Sequence, residues 1–311
     1  MSPVRDPMML TAPTGIRTRQ PLSGQLKRGA VIVPAYNEEE VIRRTLSPLS
    51  QAAVAGYIEL IVVCNGCTDD TADAARTVPG ARVLELSQGS KPAALNAGDA
   101  TAVLWPRLYL DADIQISAAA VLDVLDRLTR GDVMAARPEA RYDFQGASAV
   151  VRSYYRARQR IPAHKLAMWG AGVYGLSAEG HQRLGTFPTI TGDDFYVDTR
   201  FSPEEKAVVT TEPVVVRTPT NIRSLLAILR RSHRGKAELS PYRGGDGAGA
   251  RNTTAPSAIA AMGAVHGPRS AADAAVYIGM ALAKRWTPGP TPEWERDESS
   301  RLADESAAET E

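Results

Sequence analysis

Asp111 and Asp113 stand two positions apart where the apolar run Arg107-Leu108-Tyr109-Leu110 ends. Side chains alternate along extended backbone, so positions i and i+2 point the same way, and two carboxylates so placed can converge on one hard cation. A cation held there is suited to carrying a diphosphate. By itself an Asp-x-Asp pair is also an ordinary turn or helix cap after a strand, so its meaning depends on what the chain places beside it. A second acidic pair, Asp193-Asp194 after Gly192, lies far downstream. An ionised carboxylate within hydrogen-bond reach of a hydroxyl can take its proton. A third group is cationic: Arg231 and Arg234, at i and i+3, share one face of a basic helix, where two guanidinium groups can hold a diphosphate as negative charge builds on it.

Groups this far apart meet only if a frame brings them together, and the apolar patterning describes one. Strand-like runs at 30–34, 59–63, 82–86, 108–110 and 132–136 alternate with helical patterns at 38–53, 69–76, 91–100 and 117–129. That alternation is the mark of an α/β sheet with crossover helices. Ligands of such open sheets bind beyond the carboxyl ends of the strands, so the polar clusters after the first, second and fourth strands are expected on one rim. A helix over 147–160, a strand over 171–176 and a basic helix over 222–234 follow. The expected organisation is a flexible leader (1–28), a folded domain (29–236), a Gly-, Ala-, Ser- and Pro-rich linker (237–270), a short helix (271–286) and a disordered acidic tail (287–311).

With 311 residues, 44% of them hydrophobic, the chain is long enough for a sizeable core. Its 36 lysines and arginines against 35 acids leave a net charge of only +1, too little to attract nucleic acid, so no such partner is expected and any anion site is local. Cys64 and Cys67 are its two cysteines, too few for a disulfide framework and in keeping with a reducing compartment. Their C-x-x-C spacing lacks a second ligand pair for zinc and is read as adventitious. No signal-peptide h-region shows in 1–28, and no run reaches the roughly 18 to 20 apolar residues of a spanning helix. A cytoplasmic protein is expected. The helix over 271–286, with Tyr277, Ile278, Met280 and Leu282 ahead of Lys284-Arg285-Trp286, has two readings. It lies peripherally on a membrane, at the inner face of the plasma membrane, or it packs on the folded domain or on a second copy in a homodimer.

Six segments occur in order: Val31-Ile32-Val33-Pro34-Ala35-Tyr36-Asn37-Glu38-Glu39, Asn65-Gly66-Cys67-Thr68-Asp69-Asp70-Thr71, Lys91-Pro92-Ala93-Ala94-Leu95-Asn96-Ala97-Gly98, Asp111-Ala112-Asp113, Gly192-Asp193-Asp194 and Arg231-Ser232-His233-Arg234. Over 30–236 this series resembles the inverting family 2 glycosyltransferases. The resemblance implies a GT-A fold, with a mostly parallel Rossmann-like sheet flanked by helices. It implies metal-dependent transfer of a sugar from a nucleotide-diphosphate sugar donor to an acceptor hydroxyl. On that resemblance Pro34, Ala35, Tyr36 and Glu38 hold base and ribose, Asn65 stands where an aspartate commonly meets uracil, and Lys91 and Asn96 face the donor. Asp111 addresses the ribose and, with Asp113, a magnesium or manganese ion. Asp194 is the catalytic base, and Asp193, Trp169 and Gly170 meet the acceptor. Arg231 and Arg234 match a Gln/Arg-x-x-Arg-Trp motif, with Gly235 in place of the tryptophan.

Each piece also has a plainer reading. Asn37 suits a helix N-cap, Asn65-Gly66 a turn, and Thr68 or Asp69 a cap. Lys91 reads as a solvated first-turn residue, Asn96 as a packing amide, Asp193 as a cap, Trp169 as core and the arginines as a solvated helix end. His164 and His181 have no recognisable partner. Two other functions compete: a sugar-phosphate nucleotidyltransferase, though Pro34-Ala35-Tyr36-Asn37 is no Gly-rich phosphate loop, and a non-catalytic nucleotide-sugar binding subunit.

Overall fold

Val31-Ile32-Val33 and Leu60-Ile61-Val62-Val63 are apolar at every position and β-branched at all but Leu60, and strands of that kind need cover on both faces. The computed structural model, which describes residues 28–239 and 254–286, places them in β1 (Gly29–Ala35) and β2 (Ile58–Asn65), buried along almost their whole length. With β3 (Ala81–Leu86), β4 (Arg107–Leu110), β5 (Ala135–Asp143), β6 (Val173–Leu176) and β7 (Lys206–Arg217) they form one seven-stranded sheet, ordered β3-β2-β1-β4-β6-β5-β7. The first four strands are parallel neighbours, β6 runs antiparallel between β4 and β5, and β7 pairs parallel with β5. This is the expected mixed, mostly parallel α/β sheet.

Helices α1 (Glu39–Val54), α2 (Thr71–Arg76) and α4 (Ala118–Thr129) cover one face through Ile42, Leu46, Ala75 and Leu125. The other face is covered by α3 (Lys91–Thr101), α7 (Ala178–Leu184) and α8 (Asp193–Asp198), through Leu95, Leu184 and Val197. Serines start several helices: the side chains of Ser90, Ser117, Ser148 and Ser177 each accept a backbone N–H in the first turn of α3, α4, α5 (Ala149–Arg160) and α7. Between α5 and β6 lies the short α6 (Pro162–Lys165).

The structure departs from the sequence reading in four places. The strand expected over 132–136 begins at Ala135 and runs to Asp143, because β7, a strand not anticipated, pairs with it from Lys206 to Arg217. Pro213 interrupts the β7 pattern, and an edge strand tolerates the missing N–H. Asn37 does not cap α1: its φ is +51°, and Glu38 is the N-cap residue. The basic helix α9 (Ile222–Glu238) continues past Arg234, since Glu238 accepts from the N–H and hydroxyl of Thr191 at 2.7 and 3.1 Å. Part of the expected linker is helix α10 (Thr254–Gly263), with Ala261 buried against its neighbours. The leader through residue 27, residues 240–253 and the tail from 287 lie outside the described residues.

Helix α11 (Pro268–Trp286) packs on the domain. Tyr277 and Met280, assigned to a membrane face, turn inward beside Ala274 to join α5 and α9, and Tyr277 stacks on Tyr154 at 5.1 Å. Leu282 remains 48% exposed. Asp273, 1% exposed, accepts from Ser153 at 2.6 Å and pairs with Arg156 at 2.7 Å and Arg160 at 3.0 Å. Burial works against its charge, but these partners outweigh it and hold the carboxyl down at about 2. A depressed carboxylate stabilises the fold above its ordinary pKa, and the contribution is lost as pH falls through the depressed value. Asp273→Asn is therefore expected to lower stability near neutral pH by about 2 kcal/mol, read as a shifted urea midpoint; an unchanged midpoint would mean that this cluster does not anchor α11.

Candidate active site

The carboxyl ends of β1, β2 and β4 share a rim, and side-chain amides lace it together. Asn65, at the end of β2 and 2% exposed, donates to the Ala35 carbonyl at 2.7 Å and accepts from the Ser90 N–H at 2.9 Å. Its expected base contact is thereby corrected. The residue braces β1 against the start of α3, and an aspartate, which only accepts, would oppose the Ala35 carbonyl. The Asn96 amide likewise meets the protein backbone, donating to and accepting from Phe187, both at 2.9 Å. Pro34 and Ala35 are buried inside β1, leaving Tyr36 and Glu38, half-buried beyond the strand, at the rim itself. Asn37 clasps Thr68, accepting from its N–H at 2.7 Å and donating to its hydroxyl at 3.1 Å. Cys67 accepts from the Asn37 N–H at 3.4 Å and faces the Ala35 carbonyl. Both cysteines are free, and burial, with Cys67 beside it, pushes the Cys64 thiol up to about 12.

Lys91 joins the two acidic motifs. Its ammonium lies 2.7 Å from Asp111 and 3.0 Å from Asp193. Burial opposes that charge, yet the two carboxylates more than compensate and raise the Lys91 pKa. Asp111 is itself raised, by burial and by Asp193 and Asp113, against the pull of Lys91. The loop carrying Asp111 and Asp113 is fixed from two sides: Thr45 of α1 donates to the Ala112 carbonyl at 2.7 Å, and the Asp111 N–H donates to Gly172 at 2.8 Å. Asp193, 4% exposed, also accepts from the Tyr174 hydroxyl at 2.7 Å. It is a buried brace and not the acceptor contact that was expected. Tyr174 is a partner sequence reasoning missed, because nothing local joins β6 to α8.

Asp194, the next residue, faces a cavity of about 480 Å³ together with Asp111, Asp113, Trp169, Gly170 and Arg231. It accepts from the Gly170 N–H at 3.1 Å and from Phe195 N–H at 2.7 Å. Burial first, then the charge of Asp193, raises its carboxyl to about 6 despite Lys91. It is thus ionised at neutral pH and more basic than an ordinary aspartate, the condition a general base requires. Gly170, at φ +79°, presents that N–H to the Asp194 carboxylate.

Helix α9 reaches the site because two glycines meet. A Cβ on Gly235 would lie 3.3 Å from the Gly192 nitrogen, so any side chain here, the tryptophan of the resembling motif included, would press on the Gly192 backbone. Arg231, Ser232, His233 and Lys236 line the cavity, and Arg234, expected to act with Arg231, is not among its lining residues. Trp169 packs on Phe195 at 4.8 Å, with Lys236 5.2 Å and Arg158 5.0 Å from its ring centre. Its ring therefore holds cations as well as forming wall. His164 has a partner after all, the Arg158 carbonyl at 3.3 Å, so Nδ1 carries the proton. Burial, reinforced by Arg158, pulls this imidazole down to about 3. His181 likewise pairs with Asp99 at 2.9 Å, away from the cavity. Tyr277 and Ala281 of α11 complete the lining.

Comparison with known proteins places this geometry. Residues 30–170 match the family model described as glycosyl transferase family 2. Among solved structures, the mannosyltransferase PcManGT from Pyrobaculum calidifontis, in complex with GDP-Man and Mn2+, is similar with a TM-score of 0.57 and 20% identity, over 90% of this chain and 79% of that one. Glucosyl-3-phosphoglycerate synthase from Mycobacterium tuberculosis, in complex with phosphoglyceric acid, matches with a TM-score of 0.50 and 22% identity, over 70% of this chain and 80% of that one. The same enzyme with Mg2+ and UDP matches at 0.50 and 21%, over 70% and 79%. A comparison with curated protein sequences finds no match. Residues 30–170 are thus similar to glycosyl transferase family 2, and the fold is the GT-A fold that the chain shares with these solved glycosyltransferases.

Proposed function

We propose that the chain moves a sugar, with inversion, from a nucleotide-diphosphate sugar to an acceptor hydroxyl deprotonated by Asp194. The observation that carries this reading is the Lys91 ammonium bound to both Asp111 and Asp193, which sets the base beside the diphosphate-carrying loop. Nucleoside and ribose lie along the rim of Tyr36, Glu38 and Asp111, beyond the strand ends where open α/β sheets take their ligands. Asp194 takes the proton as the acceptor oxygen attacks the anomeric carbon opposite the departing diphosphate. Arg231, lining the same cavity, meets the charge released. Inversion follows from a single displacement: Asp193, the carboxylate beside the base, is held by Lys91 and Tyr174 and is not free to act as a nucleophile.

A divalent cation fits this site only as part of the donor complex. Among the described residues no three His, Cys, Asp or Glu side chains form a cluster able to hold a metal alone. Asp111 and Asp113 supply hard carboxylate oxygens, and magnesium is commonly held by one or two carboxylates with substrate phosphates and water completing its shell. The similar structures carry Mn2+ with GDP-Man and Mg2+ with UDP. Once bound, the ion would supply positive charge to the leaving diphosphate.

The test is a thermal-shift series with UDP-, GDP- and TDP-sugars, with and without manganese. At least one donor is expected to raise the melting temperature, more so with the metal, since a ligand specific for the native state stabilises it. Asp113→Asn should remove the metal-dependent part of that shift. No shift with any donor, or a metal effect that survives in Asp113→Asn, would count against the reading.

A further inference from the structure

Arg158 is a cation that the glycosyl transfer described above does not use. It lines the cavity from α5, with its guanidinium carbon 5.2 Å from the Tyr142 ring centre, 5.8 Å from Tyr155 and 5.0 Å from Trp169. It donates to the Tyr142 hydroxyl, and among the described residues no carboxylate lies within 4.0 Å of it. Its helix neighbours Arg156 and Arg160 are both paired with Asp273. Burial lowers the Arg158 pKa to about 10, with Arg137 adding to the effect, so the charge persists at neutral pH. A guanidinium has five N–H donors in a planar fork, and one hydrogen bond to a phenol leaves most of that fork to whatever enters the cavity. A carboxylate or phosphate fills such a fork with two parallel, charge-assisted bonds.

The loop from Trp169 to Gly172 shows which substrate that group belongs to. At one end, a Cβ on Gly172 would lie 3.3 Å from an Asp111 oxygen, on the donor side. At the other, a Cβ on Gly170 would lie 2.5 Å from Arg158 Nη2, while the Gly170 N–H holds Asp194 at 3.1 Å. Arg158 and the base are thus neighbours across one glycine, and the diphosphate loop lies at the opposite end. We propose that the acceptor carries an oxyanion, carboxylate or phosphate, a few bonds from its reactive hydroxyl, and that Arg158 binds it. This inference relies on the glycosyl-transfer reading for the place of the hydroxyl. Lys236, over the Phe195 and Trp169 rings at 4.5 and 5.2 Å, adds positive charge to the same wall.

The test titrates glycerol 3-phosphate and glycerol into wild type, Arg158→Gln and Arg158→Lys, with and without saturating GDP or UDP plus manganese. Glycerol 3-phosphate is expected to bind wild type under both conditions, and glycerol to give no signal. Arg158→Gln should weaken binding roughly 10- to 100-fold, the range for losing a charge-assisted pair of bonds. Arg158→Lys keeps the charge but not the fork and should fall between; it also carries the test if the glutamine variant does not fold. Phosphatidylglycerol vesicles in parallel identify the source of the anion. Arg158-dependent sedimentation assigns it to a lipid headgroup, and Arg158-dependent binding of glycerol 3-phosphate alone assigns it to a soluble acceptor; either upholds the site. Equal affinity in all three proteins, or displacement of glycerol 3-phosphate by the nucleotide, overturns it. If wild type binds glycerol 3-phosphate through Arg158 but neither nucleotide, the transfer reading fails while the anion site stands.

Discussion

Asp194→Asn is expected to lower the turnover of sugar transfer roughly 10²- to 10⁴-fold, the usual contribution of a positioned general base, while nucleotide binding persists. The pH profile gives a second view of the same group. Its carboxyl stands at about 6, and only the ionised form accepts a proton, so the wild-type rate should be level above that pH and fall about tenfold per unit below it. Stability should move the other way. A carboxyl raised in the folded protein binds its proton more tightly there than in the unfolded chain, so its contribution is greatest below the ordinary carboxylate pKa and is lost as pH rises to about 6. The wild type should lose about 1–3 kcal/mol between pH 4 and 7.5 from this source, and Asp194→Asn should lack that component. Comparing the pH difference within each protein cancels the fixed cost of the hydrogen bond an amide cannot accept from both Gly170 and Phe195. A wild-type rate that stays level down to pH 4, or an asparagine variant with near-normal turnover, would rule out Asp194 as the base.

Lys91→Met should produce the largest loss of stability. It removes the cation shared by Asp111 and Asp193 and leaves two carboxylates facing each other. Breaking a buried pair from one side costs about 3–5 kcal/mol, because the surviving charge is left uncompensated. Asp111 keeps 40% of its side chain exposed and Lys91 keeps 22%, so water offsets part of that and about 2–3 kcal/mol is expected near pH 8. With the lysine gone, the already raised Asp111 rises further. The deficit should therefore shrink as pH falls and the carboxylates take up protons. Urea denaturation at pH 5 and pH 8 measures both quantities, and a deficit that is equal at the two values would show that the ammonium is not what holds these acids together. Lys91→Arg should recover part of the loss.

What the chain states about itself is local. Apolar, largely β-branched runs gave away β1 and β2, and the helical patterns at 91–100, 117–129 and 147–160 became α3, α4 and α5. The chemical groups were equally visible as residue types: Asp111, Asp113, Trp169, Gly170, Asp194 and Arg231, chosen from their motifs, line one cavity. Spacing along a strand or helix is set within a few residues, so periodicity and capping report it.

The division of labour among those groups was decided elsewhere. Asn65 and Asn96 carry the same amide a ligand contact needs, but Ala35, Ser90 and Phe187 lie within reach and take it. Asp193 and Asp194 are adjacent in sequence, yet one meets Lys91 and Tyr174 while the other meets a glycine N–H at the cavity wall. Arg156, Arg158 and Arg160 lie on one short helix, and only the arrival of Asp273 on α11, more than a hundred residues later, separates paired guanidinium groups from the one at the cavity. A polar side chain has several possible partners and bonds to whichever the fold brings within about 3 Å; that choice depends on positions remote in sequence, and only the folded chain makes it.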